Sequence, residues 1–273
     1  MNYLRDEILL GRYKVISLLG EGGMGFTYLV YDEVKKERLA LKILKLHDAD
    51  SIAAFKSEFE ILSKFRHPNL VSVYEFGLID DKIPFYTMEF VEGKTIKEFF
   101  ANSNEFTADA LYRTAVQIFS ALDYIHNRKI IHGDIKPENI FVQQKQNEKP
   151  IAKLLDFGLS QSIFSKQHEG LTGTLEYISP EKIKKENIDG RSDLYSFGIV
   201  LYEALSGEIP FNEKETLKMF RRHLFEEIKN INSRCEVAEE FKKIVLRLLR
   251  KEPCDRYQTA FNAAKDTALL YGE

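Results

Sequence analysis

A chain of 273 residues, 44% hydrophobic and with a formal charge of -3, is long enough to close one large core or two lobes without disulfides or a structural metal. The pI of about 6.1 points away from nucleic acid and from an anionic membrane surface, and no apolar run approaches the roughly 20 residues that span a bilayer. The two cysteines, Cys235 and Cys254, lack metal-ligand spacing, and Arg5, Asp6 and Glu7 are wrong for a secretory signal, so a cytoplasmic domain with structural thiols is expected.

In chain order, Tyr13–Leu19, Phe26–Tyr31 and Arg38–Leu44 read as three strands of an antiparallel meander. The turn Gly20-Glu21-Gly22-Gly23-Met24-Gly25 lies between two strands rather than between a strand and a helix. That context argues against a dinucleotide site and for a glycine flap laid over phosphates. Lys42, on the next strand, can reach back under the flap. Ser51 is read as the N-cap of a helix from Ile52 to about Phe65, with Glu58 on its apolar face. A carboxylate there is costly unless paired, and Lys42 is the natural partner. Leu70–Phe76 and Pro84–Val91 read as two further strands with Gly77–Lys82 as their turn, and the pattern changes from strand to helix after Glu92-Gly93.

Beyond that connector, Thr107 is expected to cap a long amphipathic helix reaching about Asn127, followed by short strands around Ile140–Val142 and Ala152–Leu154. Ser160–Leu171 is a polar segment of little periodicity, read as a mobile loop. Helices are expected at about Ile188–Ser206, Glu213–Leu224, Ala238–Arg250 and Thr259–Leu270. Between the long helix and these strands lies His132-Gly133-Asp134-Ile135-Lys136-Pro137-Glu138-Asn139-Ile140-Phe141, which puts an Asp, a Lys and an Asn on one short loop. A second acidic turn follows in Leu154-Leu155-Asp156-Phe157-Gly158. A carboxylate and an amide converging from neighbouring turns suit a hard cation such as Mg²⁺, and the pair of segments suggests phosphoryl transfer.

These segments, in this order from about Tyr13 to the C-terminus, resemble the eukaryotic-type protein kinases, specifically the serine/threonine branch, and the flap looks most like bacterial members. The resemblance implies an α+β bilobal fold over residues 1–273. Its N-lobe, about 10–91, holds a five-stranded antiparallel sheet with one main helix; its hinge lies at about 89–94; a mainly helical C-lobe, about 95–273, completes it, with ATP between the lobes. It implies that Gly20, Gly22 and Gly25 admit phosphates to the backbone, and that Lys42, held by Glu58, meets the α- and β-phosphates. Thr27 and Ala40 would lie above the adenine and Phe141 below it. Glu89 and Val91 would offer backbone groups to its edge, with Met88 limiting the pocket behind. Asp134 would accept or orient a substrate hydroxyl proton, Lys136 would neutralise the γ-phosphoryl, and Asn139 and Asp156 would bind Mg²⁺, with Mn²⁺ as an alternative.

Other residues are expected to hold the fold: His132 in a column with Phe157, Leu62 and Val73, Asp193 under the catalytic loop, and Glu181 paired with Arg256. His126, His47, His168 and His223 show no evident partners, and a metal role is not expected for them. Thr174 is expected to contact Asp134 and Lys136, so the acceptor implied is a protein serine or threonine. The chain departs from the family at Gly133, where an Arg usually precedes the catalytic Asp and receives the activating phosphate. Thr27 replaces the usual Val and Phe141 the usual Leu. The competing readings are an ATP-binding pseudokinase scaffold, though none of Lys42, Glu58, Asp134, Asn139 and Asp156 is missing, and a small-molecule kinase, which would lack a segment like 173–181.

Overall fold

The computed structural model describes residues 3, 5–22, 25–45, 48–101, 106–144, 148–156, 161–162, 175–228 and 230–271. The chain divides into two compact units, one of residues 1–66 and 70–92 and the other of residues 67–69 and 93–273.

The first unit is an antiparallel sheet with one helix. Strands β1 (Ile8–Leu9), β2 (Tyr13–Glu21), β3 (Gly25–Asp32), β4 (Glu37–Leu44), β5 (Val73–Ile79) and β6 (Ile83–Glu89) pair in the order β1-β2-β3-β4-β6-β5. Five strands were expected; the sixth is the two-residue β1, too short to show a period. Helix α1 (Ala49–Leu62) packs on β4, β5 and β6 through Phe55, Glu58 and Leu62. Its N-cap is Asp48 rather than Ser51: the Asp48 carboxylate accepts from the Ser51 N–H at 2.9 Å and from its hydroxyl at 2.7 Å. The stronger carboxylate cap starts the helix earlier, and it ends at Leu62, short of Phe65. The turn between β5 and β6 is also tighter than expected. Three residues, Asp80, Asp81 and Lys82, separate the strands: Asp80 and Asp81 have φ of 49° and 57°, and the Lys82 N–H donates to the Ile79 carbonyl at 3.1 Å, so Gly77 belongs to β5.

Period-2 alternation sorts the sheet into two faces. Phe26, Tyr28 and Val30 of β3 join Leu39, Leu41 and Ile43 of β4, Tyr13, Val15 and Phe85 in the core on one face. The alternate residues of β3, β4 and β6 therefore share the opposite face, the one α1 covers in part.

The second unit is mainly helical. It contains β7 (Lys94–Thr95), α2 (Ile96–Ala101), α3 (Ala108–His126), β8 (Ile130–Ile131), β9 (Ile140–Gln143), β10 (Ile151–Leu154), β11 (Gln161–Ser162), α4 (Pro180–Lys184), α5 (Gly190–Ser206), α6 (Thr216–Phe225), α7 (Glu239–Leu248) and α8 (Ala260–Ala268). Thr107 caps α3 as expected, accepting from the Ala110 N–H at 3.2 Å. Leu111, Ala115, Ile118, Phe119, Leu122 and Ile125 form its buried face. Helix α5 is buried on nearly every side, which is why its sequence, rich in Leu, Ile, Val and aromatics, has no polar stripe. At Gly198 a Cβ would stand 2.9 Å from the Leu248 Cβ, so glycine is what lets α5 and α7 close together. Helix α3 and strands β8 to β10 leave one loop, 132–139, as the connection that carries most of the polar residues singled out in the sequence.

Candidate active site

In the first unit, strand register brings the proposed nucleotide residues into rows. Gly20 pairs with Thr27, Thr27 with Lys42 and Lys42 with Tyr86, across four strands. One row along, Leu29 pairs with Ala40 and Ala40 with Met88. Directly opposed residues in antiparallel strands point the same way, so Thr27, Ala40, Lys42 and Met88 share the face away from the core.

Lys42 is 6% exposed and Glu58 5%. The Lys42 ammonium donates to Glu58 Oε1 at 3.0 Å, and the Tyr86 hydroxyl donates to the same oxygen at 2.8 Å. The pairing expected from the apolar setting of Glu58 is thus present within this unit. Glu58 Oε2 is buried without a hydrogen-bond partner. An ion pair this dry gains its Coulomb energy against a desolvation cost of similar size, so geometry decides its value.

The three flap glycines differ. At Gly25 a Cβ would lie 1.9 Å from the Ile43 carbonyl oxygen, so the β3–β4 pairing alone demands glycine. Gly20 has open space around its Cβ position and Gly22 has only the Gly25 oxygen at 4.0 Å; neither has a positive φ. Packing among the described residues does not require glycine at those two positions, which fits a role in which a side chain would obstruct a ligand. Gly23 and Met24 lie outside the described residues.

At the end of β6 the Glu89 N–H donates to the Ser72 oxygen at 2.8 Å and is already engaged. The Val91 N–H and C=O have no hydrogen-bond partner among the described residues, although the residue is 4% exposed. A buried position with unused backbone groups is suited to the edge of a flat polar ring.

In the second unit the loop from His132 to Asn139 is tied down at almost every group. Asp193 of α5 is the anchor. Its Oδ2 accepts from the His132 N–H at 2.9 Å and from His126 Nε2 at 2.8 Å, and its Oδ1 accepts from the Gly133 N–H at 2.9 Å. Burial pushes this carboxyl up, but the hydrogen bond and charge of His126 and the other donors hold it below the ordinary Asp value. Asp193 was expected here, but His126, thought to lack a partner, completes the anchor. His132 is fully buried and burial pushes its pKa down. Its Nε2 lies 3.1 Å from the Leu155 carbonyl, and its Nδ1 accepts from the Asp134 N–H at 3.3 Å. One neutral tautomer, protonated at Nε2, satisfies both bonds, so this histidine is not available as a base.

Asp134 Oδ2 receives the Lys136 ammonium at 2.7 Å and the Asn139 amide nitrogen at 3.3 Å, while its Oδ1 has no partner among the described residues. Asn139 Nδ2 also donates to the Asp134 carbonyl at 2.7 Å. Both amide hydrogens of Asn139 are therefore committed to the loop, which leaves Oδ1 as the end of that side chain that can meet a cation. The Leu155 N–H donates to the Asn139 carbonyl at 2.8 Å, which holds the Asp156 turn beside the loop. Asp156 has φ of 52°, a left-handed conformation that a non-glycine residue adopts at some cost. An amide oxygen and a carboxylate are both hard oxygen donors, so the residues fit Mg²⁺. Phe141 stands on β9 between Lys153 and Thr95 in register, on the half-exposed side of that strand.

Glu181 and Arg256 form the expected pair: Nη1 to Oε1 and Nη2 to Oε2, each at 2.8 Å, with Arg256 fully buried. The sequence reading missed the Ser192 hydroxyl that also donates to Glu181. It missed the buried Glu203 as well, which accepts from the Tyr177 hydroxyl at 2.7 Å and pairs with Lys97 at 2.8 Å. No local motif marks these residues, because their partners lie far along the chain. Phe157, Thr174, His47, His168 and most of the 160–171 segment lie outside the described residues, so the column and the contacts assigned to them do too.

Comparison with known proteins identifies the family. The protein kinase domain family matches residues 13–267. The chain is 33% identical over 263 residues to the serine/threonine-protein kinase PrkC of Bacillus subtilis, covering 94% of this chain and 40% of that protein. It is 33% identical over 263 residues to the serine/threonine-protein kinase pkn3 of Myxococcus xanthus, covering 91% of this chain and 48% of that protein. With the serine/threonine-protein kinase PknB of Mycobacterium tuberculosis it shares 31% identity over 275 residues, 96% of this chain and 43% of that protein. The chain thus spans less than half the length of these relatives. With an N-terminal antiparallel sheet bearing one helix, a mainly helical C-terminal region and matches of this extent, the chain belongs to the protein kinase domain family and is homologous to bacterial serine/threonine kinases.

Proposed function

We propose that the chain transfers the γ-phosphoryl group of Mg-ATP to serine and threonine hydroxyls of proteins. The observation that carries this reading is the loop 132–139, in which Asp134 has one carboxylate oxygen without a partner among the described residues while its other oxygen, its N–H and its C=O are all engaged. A carboxylate fixed in this way is suited to receiving or orienting a hydroxyl proton for in-line attack. Lys136, now on Asp134, carries the charge that the γ-phosphoryl needs as it leaves ADP. Lys42 meets the α- and β-phosphates, and its pairing with Glu58 sets where the ammonium stands. Asn139 and Asp156 would hold Mg²⁺, which when bound neutralises charge on the phosphate oxygens. Ala40, Met88 and Val91 receive the adenine. Positioning of this kind supplies roughly 7–11 kcal/mol of barrier reduction.

The test is incubation with γ-labelled ATP, Mg²⁺ and a generic acceptor protein, followed by hydrolysis and identification of the labelled amino acid. The reading expects phosphoserine and phosphothreonine, and no label when EDTA is present. Binding of ATP without label on any protein side chain would overturn it.

A further inference from the structure

Lys182 lies on α4 beside Glu181. Its ammonium donates to the Gly133 carbonyl oxygen at 2.8 Å, the one hydrogen bond it makes among the described residues. Burial pushes its pKa down, while the carboxylates of Asp193 and Asp134 act the other way. An ammonium withdrawn from water to this extent is costly unless its surroundings repay it.

What it grips is the peptide bond that leads into Asp134. The Gly133 N–H is held by Asp193 and the Gly133 C=O by Lys182, so charged groups from α5 and α4 fix both peptide units of this residue. Gly133 has φ of 77°, a conformation that glycine adopts without the strain a side chain would bring. The carbonyl that Lys182 holds shares its peptide plane with the Asp134 N–H, which donates to His132 Nδ1. Rotating that plane would break both bonds and re-aim the Asp134 carboxylate. Helix α4 is itself a firm support, since Glu181 is locked to the buried Arg256 and to Ser192.

Resting on the kinase reading above, we propose that Lys182 is a positioning residue that tethers the catalytic loop to α4 through the Gly133 carbonyl and so holds Asp134 in its working orientation. The tether is built into the chain and needs no modification.

The experiment compares wild type, Lys182→Met and Lys182→Arg in steady-state transfer from ATP to myelin basic protein, together with amide hydrogen exchange at 132–136. Lys182→Met removes a buried charge rather than creating one, so it is expected to fold. It is expected to lower kcat about tenfold to a hundredfold with the KM for ATP within about twofold, the signature of a misplaced catalytic group. Exchange of the Gly133 and Asp134 amides should speed up, and Lys182→Arg should recover activity to within about threefold because it keeps a cationic donor. An active wild type matched by an equally active Lys182→Met, or a loss of kcat with unaltered exchange at 132–136, overturns the tether and leaves the kinase reading standing. A wild type that transfers nothing sinks the kinase reading and the proposal with it, and wild-type turnover alone distinguishes the two failures.

Discussion

Glu58 keeps one buried oxygen without a hydrogen bond, so Lys42 and Tyr86 alone compensate its charge among the described residues. Lys42→Met should therefore cost stability, by about 3–5 kcal/mol, as well as activity, because it strands a buried carboxylate. The double variant Lys42→Met, Glu58→Met should regain most of that stability in urea unfolding while remaining inactive. Equal stability of the single and double variants would show that Glu58 is not held as a buried ion. The pair was legible only from two elements together, a carboxylate on an apolar helix face and a lysine on the preceding strand; the helix alone reads as carrying a solvated carboxylate. His126 was not legible: its bond to Asp193 spans 67 positions, and a histidine near a helix end gives no sign of what lies opposite. Lys182 was missed for the same reason, since a lysine next to Ser179-Pro180-Glu181 reads as a solvated charge.

At the scale of elements, α4, α5 and the segment after α7 are joined by one arginine. Arg256 satisfies Glu181 and also donates to the carbonyls of Arg191, Arg250 and Lys251. Arg256→Met is expected to destabilise by about 3–5 kcal/mol. Here, unlike at Lys42, adding Glu181→Met should restore only part of the loss, because three backbone carbonyls stay unsatisfied. Helix α6 contributes a pH dependence. Burial, and next the charge of Lys251, push His223 from 6.5 down to about 3. The native state holds this imidazole neutral while the unfolded chain protonates it below pH 6.5, so stability is full above that value and falls as the pH drops toward 3. His223→Phe should flatten that part of the stability profile measured by urea unfolding; an unchanged slope would assign the acid sensitivity elsewhere. Long elements such as β3, β4 and α3 could be read from sequence because one face of each is continuously apolar, and α5 because its long apolar run suits a helix buried on nearly every side. The two-residue β1, β7, β8 and β11 could not, since pairing to a neighbour, not a repeating pattern, makes them strands. The cap of α1 slipped by three residues because Asp48 outcompetes Ser51 as an acceptor.

For the molecule as a whole, family membership and the geometry of each unit point to the same chemistry, and the one departure in the catalytic loop, Gly133, bears on control. With no Arg there to receive a phosphate, treatment with a phosphatase should leave turnover within about twofold, since the charged hydrogen bonds that usually order the segment have no anchor in the loop. Loss of turnover on dephosphorylation and its return on rephosphorylation would contradict this. The central claim is that Asp134 works on a protein hydroxyl while the rest of its loop is held still. Its most direct test is transfer of label from γ-labelled ATP by wild type and by Asp134→Asn, with ATP affinity measured on both by calorimetry. The account predicts labelled acceptor protein with the wild type, a loss of at least about a hundredfold with Asp134→Asn, and similar ATP affinity for the two. Tight ATP binding by both, with transfer by neither, would contradict it and mark the chain as a nucleotide-binding scaffold.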